Sequence, residues 1–185
     1  IASLEPTFGG VNLEDIKAPE CFMVEEKLRQ RMKIPVFHDD QHGTAIVAAA
    51  AIYNGLRIVE KEIGDVKLVV SGAGAASIAC VDLLVSMGLK KQNVRMIDRN
   101  GVIYAGRKEG MNPWKEDYAI ETSDRTIEDA IDGADLFMGL SGPGVLNGEL
   151  VKKMGPKPII LAMSNPIPEI MPEEAMAARP DAIIA

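Results

Sequence analysis

Residues Val66–Ser77, VKLVVSGAGAAS, form the clearest structural pattern in this sequence. Its β-forming residues, Val66 to Val70, are typical of a buried strand, and the turn Gly72-Ala-Gly74 leads into an apolar run, Ala75 to Met87, that predicts a helix. In a dinucleotide site the first glycine permits the tight turn. The second lets the backbone approach a pyrophosphate, which the N–H groups at the helix start attract. The pattern therefore predicts a dinucleotide site, with an ordinary strand-to-helix loop as the alternative.

Two neighbouring features bear on this site. The third glycine of the dinucleotide pattern is replaced by Ser77, which is small but carries a hydroxyl where helix and strand should touch. A second short apolar run, Val94 to Ile97, ends in Asp98. If this run is the next parallel strand, Asp98 lies where a carboxylate accepts hydrogen bonds from ribose hydroxyls. Asp98 thus favours the dinucleotide interpretation over the plain loop.

The composition is typical of a soluble globular protein. The 185 residues are 47% hydrophobic and 25% charged, which suffices for one domain with a core. The net charge is -7 and no Lys/Arg cluster interleaves with aromatic residues, so we expect no nucleic-acid partner. The long apolar stretch Thr44 to Ile52 is too short to cross a bilayer, so we expect no membrane partner. Cys21 and Cys80 fit no metal or redox spacing, which favours reduced thiols and a cytoplasmic location.

The ends of the sequence predict a segment of a longer polypeptide. Ile1 opens the chain with no initiator methionine or signal segment. The closing run, Asp181 to Ala185, is apolar and resembles a strand that has been cut short. We therefore expect the 185 residues to be a piece of a larger protein.

Strands and helices alternate along the chain after an irregular, extended start that reaches Pro19. The predicted helices are Glu20–Met32, Ala45–Leu56, Ala75–Met87, Trp114–Tyr118, Ile127–Ile131, Leu150–Met154 and Pro172–Arg179. The predicted strands are Ile34–Phe37, Val66–Val70, Val94–Ile97, Val102–Tyr104, Leu136–Leu140, Ile159–Met163 and Ala182–Ile184. This alternation predicts an α/β fold with a doubly wound parallel sheet, in which ligands bind at the carboxyl ends of the strands.

Polar segments follow three of the predicted strands, at Gly72 to Ala76, Ser141 to Gly144 and Ser164 to Pro166. All three should line one edge of the sheet. Asn165 precedes a proline that disfavours helix at its own position. It would either present its amide to a cofactor or substrate or make an Asx-type turn, and its local sequence fits both.

Two acidic pairs, Glu14 with Asp15 and Asp39 with Asp40, lie about 25 residues apart beside glycine-containing bends. Carboxylates converging on one point repel unless a hard cation lies between them, and Mg²⁺ or Mn²⁺ suits oxygen ligands. The alternative is that Glu14, Asp15 and Asp39 cap the helical turns that follow them, with no metal. Spacing by itself favours the caps.

The two histidines, His38 and His42, are four residues apart, as in zinc proteases. The residue after the first histidine is Asp39 rather than the glutamate that such proteases require, and no helix precedes Gly43 to hold both rings on one face. We therefore expect structural histidines at a strand end.

Five separated segments together resemble the motif series of malic enzymes, especially the bacterial form in which this unit is fused to a phosphate-acetyltransferase-like region. The resemblance extends from Ile1 to Ala185. It implies a Rossmann-like NAD(P)-binding domain over residues 1–185, with the metal-ligand motifs in residues 1–44. The segments are, in order, LEPTFGGVNLEDI, VFHDDQHGTAIVAAAA, GAGAAS, IDRNGVIYAGR and MSNPIPE.

The resemblance implies that Glu14, Asp15 and Asp40 ligate a divalent ion, Mg²⁺ or Mn²⁺, while Asp39 orients these ligands. It also implies a set of residues that contact the nicotinamide nucleotide or malate. That set is Thr44, Gly72, Ala73, Gly74, Ala75, Ala76, Ser77, Asp98, Arg99 and Asn165.

The chemistry implied is oxidation of L-malate by hydride transfer to NADP⁺ or NAD⁺, followed by loss of CO₂ to give pyruvate, with the ion as Lewis acid. Malic enzymes place their tyrosine general acid and lysine general base upstream of the first motif found here. We therefore nominate no catalytic acid or base within the chain and expect the isolated segment to be inactive. Family members are generally oligomers, so a homo-oligomer is expected.

The nucleotide preference depends on the charges around Asp98. Its carboxylate should repel a 2′-phosphate, whereas Arg99, or Arg107 and Lys108 nearby, would neutralise one. The balance favours NADP⁺ slightly. Two other functions fit the residues less fully: a metal-independent NAD(P)-dependent dehydrogenase, in which the acidic pairs are only caps, and a nucleotide-binding module without chemistry.

Overall fold

The computed structural model describes residues 1–185, which form eight strands and seven α-helices. The strands are β1 (Val11–Leu13), β2 (Val36–His38), β3 (Leu68–Ser71), β4 (Val94–Asp98), β5 (Gly101–Val102), β6 (Leu136–Gly139), β7 (Ile159–Ala162) and β8 (Ile183–Ile184). The helices are α1 (Glu20–Arg31), α2 (Thr44–Val59), α3 (Ala75–Ser86), α4 (Pro113–Glu116), α5 (Ile127–Ala130), α6 (Gly148–Lys153) and α7 (Pro172–Ala178). No helix combines the length and apolarity that crossing a membrane requires.

Six strands form one sheet in the order β5-β4-β3-β6-β7-β8. All neighbours in this sheet are parallel except β4 and β5, which are antiparallel. The chain winds from β3 outwards in one direction and then, beginning again at β6, in the other. The strand order therefore reverses between β3 and β6, which is where doubly wound folds bind their ligands. The doubly wound α/β prediction is confirmed.

Side chains that alternate along each strand supply two separate cores. Leu68 and Val70 of β3 pack in a cluster with α2 and α3, whereas Val69 packs on the opposite face with α6 and α7. Successive residues of a strand point to opposite faces, so apolar runs such as LVV are buried on both sides. Helices accordingly cover both faces of the sheet. The polar groups that remain available to bind a ligand are those at the strand ends.

The predicted Ala-rich helix forms as α2, and its small residues allow close packing. Ala45, Ala48 and Ala49 are buried, and α2 lies against α3 and β7. Along the same helix, larger side chains such as Ile46 and Val47 are exposed. Burial of one stripe fixes α2 on α3, and the turn that precedes α2 also packs against α3.

The irregular start predicted for residues 1–19 is wrong in part. A 3₁₀ helix spans Ala2–Thr7, and β1 pairs in parallel with β2 in a separate two-stranded sheet. The register pairs Leu13 with His38. The strand predicted at Ile34–Phe37 begins two residues later and ends one residue later, as β2. The strand predicted at Val102–Tyr104 is only the two-residue β5, which begins at Gly101 and pairs antiparallel with β4.

Candidate functional site

A cavity of about 1010 Å³ opens at the carboxyl ends of β3, β4 and β6, where the strand order reverses. Five residues of the predicted nucleotide set line it, namely Gly72, Ala73, Gly74, Asp98 and Arg99. Ala75, Ala76 and Ser77 form the first turn of α3 directly behind that lining. Thr44 and Asn165 do not line the cavity: Thr44 begins α2, and Asn165 is exposed in the loop after β7.

The glycine turn has the geometry that its sequence predicts. Gly72 has a φ of +114°, and a Cβ on it would lie 2.5 Å from the carbonyl oxygen of Leu140. Its N–H donates to Ile97 O at 2.8 Å, which ties the end of β3 to β4. Gly74 caps α3 at its N-terminus, and a Cβ there would meet nothing within 4 Å. Gly72 is thus required for folding, because a larger residue would clash there, whereas the open side of Gly74 faces the cavity.

Ser77 occupies the position where the dinucleotide pattern has its third glycine. Its side chain is 1% exposed, and its hydroxyl has no hydrogen-bond partner. The hydroxyl lies 3.1 Å from where a Cβ on Gly72 would be. Ser77 therefore packs against the Gly72 turn, next to the position that a side chain on Gly72 would occupy.

Asp98 is the centre of a charged network at the cavity wall. Arg107 Nη2 donates to both of its carboxylate oxygens at 2.6 Å, and Lys115 Nζ donates to Oδ2 at 2.5 Å. Arg107 also donates to the carbonyls of Gly101 and Val102, which fixes the β4–β5 turn. Burial acts to raise the pKa of Asp98, but the hydrogen bonds from Lys115 and Arg107 outweigh it, so the pKa is lowered.

This network alters the charge expected around Asp98. Arg107 is buried, is paired with the carboxylate and does not line the cavity, and its role in neutralising a 2′-phosphate stays a prediction. Lys115, which sequence reasoning missed, lines the cavity together with Arg99 and Arg125. Its signal in the sequence is weak because Lys115 lies 17 positions after Asp98, beyond β5 and an irregular stretch, with no regular spacing that links the two.

Glu169 is a second residue that sequence reasoning missed. It is fully buried, and its carboxylate accepts N–H groups from Ser141 and Ser164, each of which lies two residues after a strand of the main sheet. Its signal is an acidic residue within an otherwise apolar stretch, Ile167 to Met171.

The two acidic pairs leave the small sheet at the same end. Because β1 and β2 are parallel and Leu13 pairs with His38, Glu14 and Asp15 emerge beside Asp39 and Asp40. The Asp15 N–H donates to Asp40 Oδ2 at 2.9 Å, while Glu14 Oε1 accepts from the Asn12 amide at 3.2 Å. No group of three acidic, histidine or cysteine side chains converges as a metal-binding cluster. The fold thus brings Asp15 and Asp40 into contact, whereas the Glu14 carboxylate is hydrogen-bonded to Asn12.

The turn that carries Asp40 is held by a buried carboxylate on α1. Asp39–Gly43 forms one π-helical turn directly before α2. Glu25 accepts from His42 Nε2 at 2.7 Å and from Gln41 Nε2 at 3.4 Å, and it pairs with Arg29 at 2.9 Å. His38 is fully buried at the end of β2, with neither ring nitrogen hydrogen-bonded. His38 therefore lies at a strand end as predicted. His42 lies within the π-helical turn, so the expectations of a strand-end position for it and of no helix before Gly43 are wrong.

Comparison with known families identifies this arrangement. Residues 41–185 match the family described as "Malic enzyme, NAD binding domain". The chain belongs to the malic enzyme family. The NADP-dependent malic enzyme of Salmonella typhimurium is 63% identical over all 185 residues, and the NAD-dependent malic enzyme of Rhizobium meliloti is 58% identical over 184 residues.

A solved malic enzyme has the same fold as this chain. The crystal structure of NAD-dependent malic enzyme from Thermotoga maritima superposes with a TM-score of 0.91 at 44% identity, covering 100% of this chain and 49% of that one. The chain spans 24% of the Salmonella and Rhizobium malic enzymes. It therefore corresponds to one segment of those longer enzymes, and the fold of that segment is shared.

Proposed function

We propose that the protein carrying this chain oxidises L-malate to pyruvate and CO₂ while reducing NADP⁺ or NAD⁺. The observation that carries the proposal is the cavity at the reversal of strand order, lined by the glycine turn and Asp98, in a chain of the malic enzyme family. The chain would supply the nucleotide site and the metal ligands. The tyrosine acid and lysine base that malic enzymes use would lie outside residues 1–185.

The nucleotide would extend across the ends of β4, β3 and β6. Its pyrophosphate would lie over Gly74, where no side chain intervenes and the N–H groups that begin α3 provide a partly positive end. Its adenosine ribose would lie by Asp98 and Arg99 after β4, and its nicotinamide half would lie towards β6 and β7. Ala73, Ala75, Ala76 and Ser77 would shape the turn, whereas Thr44 and Asn165 would approach from its outer rim.

Glu14, Asp15 and Asp40 would hold Mg²⁺ or Mn²⁺. This assignment is supported by the shared end of β1 and β2 and by the backbone N–H of Asp15, which donates to Asp40 Oδ2 and so places residues 14 and 15 beside that carboxylate. Oxygen donors suit either ion. When bound, the ion supplies Lewis-acid stabilisation of negative charge on the substrate oxygen. Glu25 would keep the Asp39–Gly43 turn, and hence Asp40, in place.

The charges around Asp98 support a preference for NADP⁺. Arg107 and Lys115 neutralise the carboxylate, and Arg99 and Arg125 line the same cavity. A 2′-phosphate would therefore meet net positive charge. Comparing KM for NADP⁺ and NAD⁺ in the full-length protein tests this preference, and the Arg99→Ala variant should lose NADP⁺ affinity selectively. An unchanged KM for NADP⁺ in that variant removes Arg99 from the site.

The activity is tested by following malate-dependent nucleotide reduction in the full-length protein. We expect reduction to stop with EDTA and to return with Mn²⁺, and we expect Asp40→Asn to abolish it while nucleotide binding persists. Pyruvate must appear in equal amount. Activity that is unaffected by EDTA would favour the metal-independent dehydrogenase. That alternative is supported by the finding that no three acidic, histidine or cysteine side chains converge in this chain. Nucleotide binding without any turnover would favour the binding module.

Two assignments follow from the same reasoning. We infer a homo-oligomer, as family members generally are, and small-molecule substrates rather than a nucleic acid, in line with the net charge of -7. We also infer a reducing, cytoplasmic location, because both cysteines are free and buried.

A further inference from the structure

Glu169 is a buried carboxylate without a cation. Its exposure is 0%, and no lysine, arginine or histidine forms a salt bridge with it. Instead, Oε1 accepts the N–H of Ser141 at 2.9 Å and Oε2 accepts the N–H of Ser164 at 3.1 Å. Burying a charge is costly unless its hydrogen bonds are satisfied, and here both oxygens are used on backbone donors.

The strand beside Glu169 is shaped to accept it. Gly139 ends β6, and a Cβ on it would overlap the Glu169 carboxyl group. A larger residue would close this space. An apolar side chain at position 169 would fill the space but leave the N–H groups of Ser141 and Ser164 without their carboxylate acceptor. The missing side chain at Gly139 thus makes room for the Glu169 carboxylate and its hydrogen bonds, and not for an apolar side chain.

These hydrogen bonds connect three strand ends. Ser141 follows β6, Ser164 follows β7, and the Ser141 hydroxyl lies 2.7 Å from the hydroxyl of Ser71, which ends β3. Ser71 directly precedes the Gly72 turn. One carboxylate therefore sets the spacing of the two loops on the β6–β7 side of the cavity and, through Ser141, couples them to the turn.

We propose that Glu169 is a positioning residue for the nicotinamide half of the nucleotide, an inference that rests on the nucleotide site proposed above. In this fold the nucleotide crosses from the acidic residue after the second strand, here Asp98 on β4, to the strands on the other side of the reversal. Those strands are β6 and β7, whose loops Glu169 holds. The adenosine half lies by β4 and has no contact with this network.

The test compares two ligands in the full-length protein by titration calorimetry. NADP⁺ spans the whole cavity, whereas ADP-ribose 2′-phosphate lacks the nicotinamide. In Glu169→Gln the amide has one acceptor and one donor, so one of the two backbone N–H groups loses its partner. We expect the affinity for NADP⁺ to fall about tenfold or more, and that for ADP-ribose 2′-phosphate to change by no more than about twofold.

Glu174→Gln is the matched control. Glu174 is an exposed glutamate whose Oε1 accepts one backbone N–H, that of Gly148 at 2.8 Å, away from the cavity. We expect this variant to bind both ligands as the wild type does. A general loosening of the domain by Glu169→Gln would weaken both ligands alike, and that result, or no change in NADP⁺ affinity, overturns the proposal.

If Glu169→Gln does not fold, Glu169→Asp replaces it, because the shorter side chain keeps the charge but cannot reach both the Ser141 and the Ser164 N–H groups. We expect a smaller loss, again confined to NADP⁺. Equal weakening of both ligands, or of neither, overturns the proposal. A wild-type protein that binds neither ligand would instead refute the nucleotide site itself, so the two failures are distinguishable.

Discussion

Alanine substitution at the two glycines of the turn should separate stability from nucleotide binding. Gly72 adopts a φ of +114°, which costs an L-residue about 1–2 kcal/mol, and its new Cβ would lie 2.5 Å from Leu140 O. Displacing that carbonyl adds an overpacking cost of roughly 1–3 kcal/mol. Gly72→Ala should therefore lose about 2–5 kcal/mol of stability, which corresponds to roughly 5 °C or more in Tm for a domain of this size.

Gly74→Ala should behave in the opposite way. Gly74 has a φ of -90°, and a methyl group there meets no protein atom within 4 Å, so the folded state gains no strain. Replacing glycine at such a position changes stability by about +0.4 to +1 kcal/mol through the unfolded chain. The methyl group would, however, project where the pyrophosphate is expected. NADP⁺ affinity should fall about tenfold or more, since the phosphates would be held off the N–H groups of α3.

Thermal unfolding and titration of NADP⁺ on the full-length variants measure both effects. We expect a lowered Tm for Gly72→Ala and a retained Tm with weakened binding for Gly74→Ala. Unchanged NADP⁺ affinity in a folded Gly74→Ala protein would refute the reasoning, because the pyrophosphate would then lie elsewhere.

Three further predictions concern buried groups. Arg107→Ala removes a buried partner that donates to both Asp98 oxygens and should cost roughly 3–5 kcal/mol, measurable as a lower denaturant midpoint. Arg99→Ala removes an exposed neighbour that forms no ion pair with Asp98 and should cost almost nothing. The pKa of Asp98 is lowered on folding, so its ionised form stabilises the protein fully above the ordinary pKa of 3.8, and this stabilisation is lost as the pH falls below that value. Asp98→Asn should therefore make the free energy of unfolding less dependent on pH in the acid range. An unaltered pH dependence would contradict this. Burial raises the pKa of Cys80 to about 12, so iodoacetamide at pH 8 should leave the Cys80 peptide unmodified in the native protein and label it after unfolding.

The sequence predicts the main sheet well because its signals are local. Apolar runs such as Val66 to Val70 are buried on both faces, and the glycines at the ends of such runs mark the turns. The two short strands β1 and β5 were missed or misplaced because three or two residues carry no measurable periodicity. β1 forms only because β2, more than 20 residues later, offers it a parallel partner.

The residues of the site were predicted to a similar extent. The Gly72 turn and Asp98 belong to one strand-helix-strand unit, so their place at the cavity is predictable. Lys115 and Glu169 contact partners 17 and 28 positions away, Asp98 and Ser141 respectively, and no local pattern records those pairings. The meeting of Asp15 with Asp40 likewise depends on the register of β1 and β2, which only the folded chain reveals.

The most direct test of the central claim is a crystal structure of the full-length protein with NADP⁺ and Mn²⁺, in which anomalous scattering locates the ion. We predict the pyrophosphate over Gly74 and a manganese peak between the carboxylates of Glu14, Asp15 and Asp40. A peak at other side chains, with these three residues apart and the nucleotide away from the glycine turn, would contradict the account.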